Sequence, residues 1–193
     1  MTVVGTDGKH RCFGGQTGKE FYGEYHDREW GVPVHDDRLL FENLILEGAQ
    51  AGLSWETVLR KREGYRSAFH GFDIARCAQM EDAELEDLRS EPAIIRNRLK
   101  IYSVRKNARV FLEIQRESGS FDAWLWGHLD GDPPVNRPQR FADMATSSSV
   151  SDAISRSLKK RGMSFVGSTI IYAYMQAIGM TDEHLAGCWK ARS

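Results

Sequence analysis

Leu158-Lys-Lys-Arg-Gly-Met-Ser-Phe-Val-Gly-Ser-Thr169 lies between two stretches of helical pattern and decides how the chain is read. Upstream, Ser149-x-x-Asp152 starts a helix that runs to Arg161, and Gly162 ends it. Downstream, a final helix spans Gly167 to Ile178, with Gly179 as its C′ residue. The segment between them is a hairpin with two glycines, Gly162 and Gly167, and a basic approach through Lys159, Lys160 and Arg161. Glycines let backbone N–H groups come close to an anion, and the start of the next helix adds a favourable dipole. That geometry suits a DNA phosphate. An ordinary helix–helix turn with glycine caps carries the same signature.

Working outward, the pattern stays helical. Asp36-Asp37 caps a helix with Leu40, Leu44 and Ile45 on its apolar face, and Gly48 and Gly52 interrupt it. Ser54 is the expected N-cap of a helix from Trp55 to Phe69. Asp73 and Asp82 cap two short helices, ending near Met80 and Leu88. Pro92 opens a long segment whose apolar stripe is Ile101, Val104, Ala108, Phe111 and Leu112. Ser120 starts a short helix with Trp124 and Trp126. The stretch from Gly127 to Ser149, with Pro133, Pro134 and Pro138, reads as a surface crossing. No alternating strand run and no internal repeat stands out, so an all-α fold is expected.

The 193 residues are enough for one domain or two small lobes around a substantial core. Three cysteines without disulfide-scaffold spacing favour a reducing, cytoplasmic setting. No apolar stretch approaches the roughly 20 residues of a membrane helix, so no membrane partner is expected. Met1 to Arg11 reads as a flexible polar tail before a domain from residue 12 to 193. A net charge of −1 gives no global pull toward nucleic acid. Local basic runs at Arg96 to Arg109 and Arg156 to Arg161 can bind phosphate or be solvated helix faces.

Two constellations carry chemistry. Cys12 and His26 near the N-terminus, with His184 and Cys188 near the C-terminus, form a Cys₂His₂ set of the kind a structural Zn²⁺ prefers. His184 and Cys188 are four residues apart, so one helical turn would present both on one face. The second is Leu46-Glu-Gly-Ala-Gln-Ala-Gly-Leu-Ser-Trp55. It places Glu47, Gln50 and Trp55 around a glycine-rich kink, and Tyr22, Tyr25 and Trp30 add aromatic faces from upstream. A cationic heterocycle stacks on such rings and pairs with a carboxylate. Aromatics are more often core, and the bland reading of Glu47 is a surface or cap residue; set among Leu44, Ile45, Leu46 and Gly48, it is less easily dismissed than the rings.

These motifs are similar, in order, to those of the DNA-3-methyladenine glycosylase I family. The matching runs are Tyr25-His-Asp-Arg-Glu-Trp-Gly-Val-Pro33, Leu46 to Trp55, Ile94-Ile-Arg-Asn-Arg-Leu-Lys-Ile101, Leu158 to Gly167, and His184-x-x-x-Cys188. The resemblance implies an all-α helix-hairpin-helix DNA glycosylase in which two helical lobes flank a base pocket. It implies hydrolysis of the N-glycosidic bond of 3-methyladenine in double-stranded alkylated DNA, with no lyase activity, by a monomer. It implies one structural Zn²⁺ joining the termini through Cys12, His26, His184 and Cys188. Glu47 matches the carboxylate that reads the flipped base. Trp55 and Tyr25 match the rings that sandwich it, with Tyr22, Trp30 and Gln50 nearby. Leu53 matches the residue that wedges into the vacated stack, and Gly162, Gly167 and Lys160 fall where the hairpin meets DNA.

The chain departs from the family pattern at one place. The family has Arg-Cys-x-Trp at its start, where this sequence reads Arg11-Cys-Phe-Gly-Gly15. Phe13 fills the gap left by that tryptophan, or a wall of the pocket is lost. The second outcome would favour a non-catalytic DNA-damage-binding protein of the same fold. A zinc hydrolase is a weaker rival, because a catalytic zinc keeps one position for water. Asp182 lies near where related glycosylases carry a catalytic aspartate, but the hairpin spacing differs and no role is assigned to it.

Overall fold

The computed structural model describes residues 1–191. Its architecture is helical. Helix α1 (Glu20–Arg28) leads into α2 (Asp37–Gln50), α3 (Trp55–Leu59) and α4 (Arg62–Ala68). Then come α5 (Ile74–Gln79), α6 (Asp82–Asp87), the long α7 (Arg98–Ser118) and α8 (Phe121–Trp126). Helices α9 (Ser149–Lys160) and α10 (Ser168–Ala177) close the order.

Helix α2 is the axis of the core. Leu40, Phe41, Leu44, Ile45, Leu46 and Ala49 are all buried, so it has almost no solvent face. It starts where Asp36 accepts from Leu39 N at 2.9 Å. The next residue, Asp37, fastens α8 by accepting from Phe121 N, Asp122 N and the Gln115 side chain. At its other end Lys100 Nζ donates to Ala49 O and Ala51 O, both at 2.7 Å. This lysine therefore caps carbonyls of the α2 C-terminus and is engaged before any phosphate arrives. Helix α10 packs on both α9 and α2. Phe111 and Phe121 stack at 3.8 Å where α7 meets α8.

Several sequence expectations are corrected. Gly48 does not interrupt α2, which continues to Gln50. A Cβ at Gly48 would meet Phe165 Cβ at 3.1 Å, so this glycine lets the hairpin sit against the helix. The expected helix from Trp55 to Phe69 is two helices, broken at residues 60–61. Helix α7 begins not near Pro92 but after Asn97, whose side chain accepts from Lys100 N. Ser148, not Ser149, caps α9, through reciprocal bonds with Ser151.

The stretch from Met1 to Arg11 also departs from the loose tail expected of it. Strands β1 (Val3–Val4) and β2 (His10–Arg11) pair antiparallel, Val3 opposite Arg11. The cause is Arg11, which is buried and bonds Asp7 and Asp27 together, with its closest N···O distances at 2.7 Å. His184 and Cys188 do not share a helical turn either. They lie on an irregular segment after α10, folded back by a turn at residues 186–187.

Candidate functional site: an aromatic cavity beside a Cys/His cluster

Helix α1 places Tyr22 and Tyr25 three residues apart, so both rings leave the same face. Glu47 and Gln50 repeat that spacing on the last turns of α2. Trp55 is the first residue of α3, held there by Ser54, which accepts from Thr57 N at 3.2 Å. Trp30 follows α1, its N–H donating to Tyr25 O. These six residues line one cavity of about 180 Å³, together with Phe13, Phe141, Met144, Ala173 and Gln176. Every base-pocket residue expected from the sequence is therefore in one place.

Glu47 is only 4 % exposed, and burial pushes its carboxyl up to about 8. Burial is the single cause, since no neighbouring cation or donor offsets it. An isolated buried carboxyl of this kind is poised to exchange its proton for a cation. The surrounding phenols stay neutral: burial raises Tyr22 to about 12 and Tyr25 well above its ordinary value.

Phe13 occupies the side of the pocket where a tryptophan was missed. Its ring stacks on Tyr22 at 4.5 Å and meets Trp30 edge-on at 5.1 Å. No wall is lost there. The sandwich of Tyr25 and Trp55 is not formed, however. Their rings stand 5.5 Å apart, tilted by 44°. A base between two rings needs about 7 Å, two van der Waals contacts of about 3.5 Å. The Trp55 indole N–H is also buried without a partner.

The wedge and hairpin residues lie on other elements. Leu53, 41 % exposed, sits in the turn between α2 and α3, next to Gly52 at φ 78°. In the α9–α10 connection Gly162 takes φ 99°, which only glycine adopts without strain. Gly167 has an ordinary φ of −63° and serves as the N-cap of α10. Its open surroundings, with no atom within 4 Å of an added Cβ, leave the backbone approachable. Lys160 is exposed at the end of α9, whereas Arg161 pairs with Glu117. Asp182 is a structural anchor, paired with Arg137 and accepting from His184 N.

Cys12, His26, His184 and Cys188 come together, all buried, their donor atoms within 4.8 Å of one another. Three S···N separations are 3.5 Å (Cys12–His184), 3.4 Å (Cys188–His26) and 3.6 Å (Cys188–His184). Bond lengths typical of zinc give tetrahedral S···N edges of about 3.5 Å, so the donor set fits that ion. The His26 Nδ1 lies 2.9 Å from Asp27 Oδ1, which fixes the tautomer that leaves Nε2 for a metal. Burial pushes Asp27 up, but bonds from Arg11, His26 and Trp189 outweigh it and hold the carboxyl at about 2. Leu185 N donates to Cys12 Sγ and Lys190 N to Cys188 Sγ. The Cys188 thiol is pulled down by the hydrogen bond with Cys12.

The cluster and the cavity share walls. Phe13 follows Cys12, Tyr25 precedes His26, and Trp30 lies edge-on to His184 at 4.7 Å. Four lining residues were not foreseen: Phe141 and Met144 from the crossing before α9, and Ala173 and Gln176 from α10. The two on α10 lie three residues apart on one helical face, a signal that was present; the crossing has no period to read.

The family model for methyladenine glycosylase matches residues 15–191. DNA-3-methyladenine glycosylase 1 of Escherichia coli (strain K12) is 46% identical over 167 residues, 86% of this chain and 89% of that protein. A crystal structure of a 3-methyladenine DNA glycosylase I superposes with a TM-score of 0.85 at 46% identity, over 89% of this chain and 94% of that one. A variant of a 3-methyladenine DNA glycosylase I, solved in complex with 3-methyladenine, gives a TM-score of 0.85 at 33% identity, over 89% and 92%. No helix among the described residues is long and apolar enough to cross a membrane.

Proposed function

The chain belongs to the methyladenine glycosylase family, and from that premise we infer that it is a DNA repair enzyme acting on alkylated DNA. It hydrolyses the N-glycosidic bond of 3-methyladenine and so starts base excision repair. The observation that carries this reading is Glu47: a buried, unpaired carboxyl in an aromatic cavity of about 180 Å³.

The chemistry follows from charge. 3-Methyladenine joined to deoxyribose is a cation, and its glycosidic bond is weak without a proton from the enzyme. Entry of the cation shifts Glu47 toward its carboxylate form, which pairs with the charge and accepts from the exocyclic amine. Trp55 moves off Tyr25 to admit the base between the two rings. Leu53 fills the vacated stack, and water attacks the sugar as positive charge develops there. A normal neutral base has a stronger bond and gains no ion pair in the pocket.

The finer assignments are part of the same proposal. The enzyme is monofunctional and monomeric. The hairpin between α9 and α10, with Gly162, Gly167 and Lys160, holds a DNA phosphate in the manner of a helix-hairpin-helix motif. A structural Zn²⁺ is held by Cys12, His26, His184 and Cys188. With four protein donors it supplies folding energy and no activated water.

Incubation with methylated duplex DNA, followed by chromatography of the released bases, tests the activity. Free 3-methyladenine, little 7-methylguanine and no strand cleavage are expected. A non-catalytic damage binder would retain the DNA and release no base in a single turnover. The Phe13 ring in the pocket weakens that rival, which rested on a missing aromatic wall.

A further inference from the structure

Residues 130–148 cross the surface with one short helical turn, Phe141–Asp143. The crossing is fastened on both sides. Asn136 N donates to Asp182 O at 2.8 Å, Asp182 N to Pro134 O at 2.9 Å, and Ala186 N to Pro138 O at 3.1 Å. Beyond the turn, the Ser148–Ser151 box ties it to α9. Arg140 clamps the turn itself, its backbone N–H and guanidinium both donating to Asp143. Two apolar side chains from this turn reach the cavity, Phe141 and Met144. Phe141 leans on Phe13 with ring centres 6.1 Å apart. It is 48 % exposed, an unusual state for a phenylalanine that lines a cavity.

Glu47 is buried and Phe141 is half in solvent, yet both line one cavity. The cavity therefore runs from a carboxyl at its floor to an apolar rim at its mouth. In adenine, C6 and N3 are para positions of the six-membered ring. A base whose C6 amine meets Glu47 directs its N3 substituent the opposite way, toward the mouth. We propose that Phe141 and Met144 are specificity-determining residues, forming with Phe13 the rim against which the N3 methyl group of the everted base rests. This proposal rests on the base-pocket reading of Glu47 above.

The rim offers carbon and thioether surface and no hydrogen-bond donor. It covers a methyl group at no polar cost, and it offers the bare N3 lone pair of ordinary adenine no donor. Burying one methyl-sized group corresponds to about a fourfold gain in affinity.

The test is titration of the full chain with free 3-methyladenine and with adenine. The wild type is compared with the double variant Phe141→Ala, Met144→Ala and with Phe141→Leu. The preference for 3-methyladenine is expected to fall about fourfold in the double variant while adenine binding changes little. Phe141→Leu, which keeps an apolar rim, is expected to retain most of the preference. A purely structural role would weaken both ligands by the same factor, and that result overturns the proposal. So does a preference that survives unchanged in the double variant, which leaves the pocket reading intact. A wild type that does not prefer 3-methyladenine overturns the pocket reading and the rim with it.

Discussion

The ring centres of Tyr25 and Trp55 lie 5.5 Å apart with the planes tilted by 44°, closer than two rings with a base stacked between them. The Trp55 N–H is left buried and unpaired in that arrangement, which costs about 1–3 kcal/mol. A base bound between these two rings has to separate them. Titration with 3-methyladenine is expected to change tryptophan fluorescence in the wild type and much less in Trp55→Phe. Stopped-flow rates should level off at high ligand concentration, as they do when opening precedes binding. Equal signals from both proteins would refute a moving Trp55.

Glu47 makes a pH-dependent contribution with a definite sign. Its carboxyl titrates at about 8 in the folded chain, against an ordinary value of 4.5. Between those values the folded state keeps a proton that the unfolded state releases, so stability falls as pH rises from 4.5 to 8. Above about pH 8 this contribution is flat. Glu47→Gln removes it, and denaturant unfolding at pH 5 and pH 8 should show the variant gaining on the wild type at the higher pH. Excision by Glu47→Ala or Glu47→Gln should slow by about 10²-fold or more, as for other preorganised charge partners. Wild-type rates in either variant would remove Glu47 from the mechanism.

The Cys/His cluster gives a prediction on folding. His184→Ala removes one of four donors, and the chain should lose bound zinc and melt about 10 °C lower, at 2–4 °C per kcal/mol for a chain of this size. Metal content by elemental analysis and thermal melts decide it together. Unchanged zinc in the variant would rule out His184 as a ligand.

A substitution at Leu53 tests the proposed wedge apart from base recognition. It is exposed in the α2–α3 turn and absent from the cavity lining. Leu53→Ala should slow single-turnover excision from duplex DNA by about tenfold, the cost of losing the group that fills the gap. Affinity for free 3-methyladenine should stay the same. A parallel loss in both assays would place Leu53 in the pocket instead.

Much of the molecule is written locally. Caps such as Asp36, Asp73 and Ser120 act within three residues of their helix starts, so helix positions were legible from adjacent residues. The Cys/His pairs and the run from Leu46 to Trp55 were legible because residue type and order carried the resemblance. Other features depended on partners far along the chain. Gly48 serves the close approach of Phe165, and residues 1–11 are tied down where Arg11 meets Asp27. His184 and Cys188 converge through an irregular turn that no periodicity announces.

Residue chemistry and short-range spacing determined that this chain is helical and that it carries a Cys₂His₂ set, and the order of its motifs pointed to Glu47, Tyr22, Tyr25, Trp30, Gln50 and Trp55 as one group. Tertiary packing alone decided that Glu47 keeps its proton to about pH 8, that Tyr25 and Trp55 rest closed, and that Phe141 and Met144 reach the cavity mouth. Burial, ring separation and cavity shape arise from residues distant in the chain, and one-dimensional order does not encode those distances.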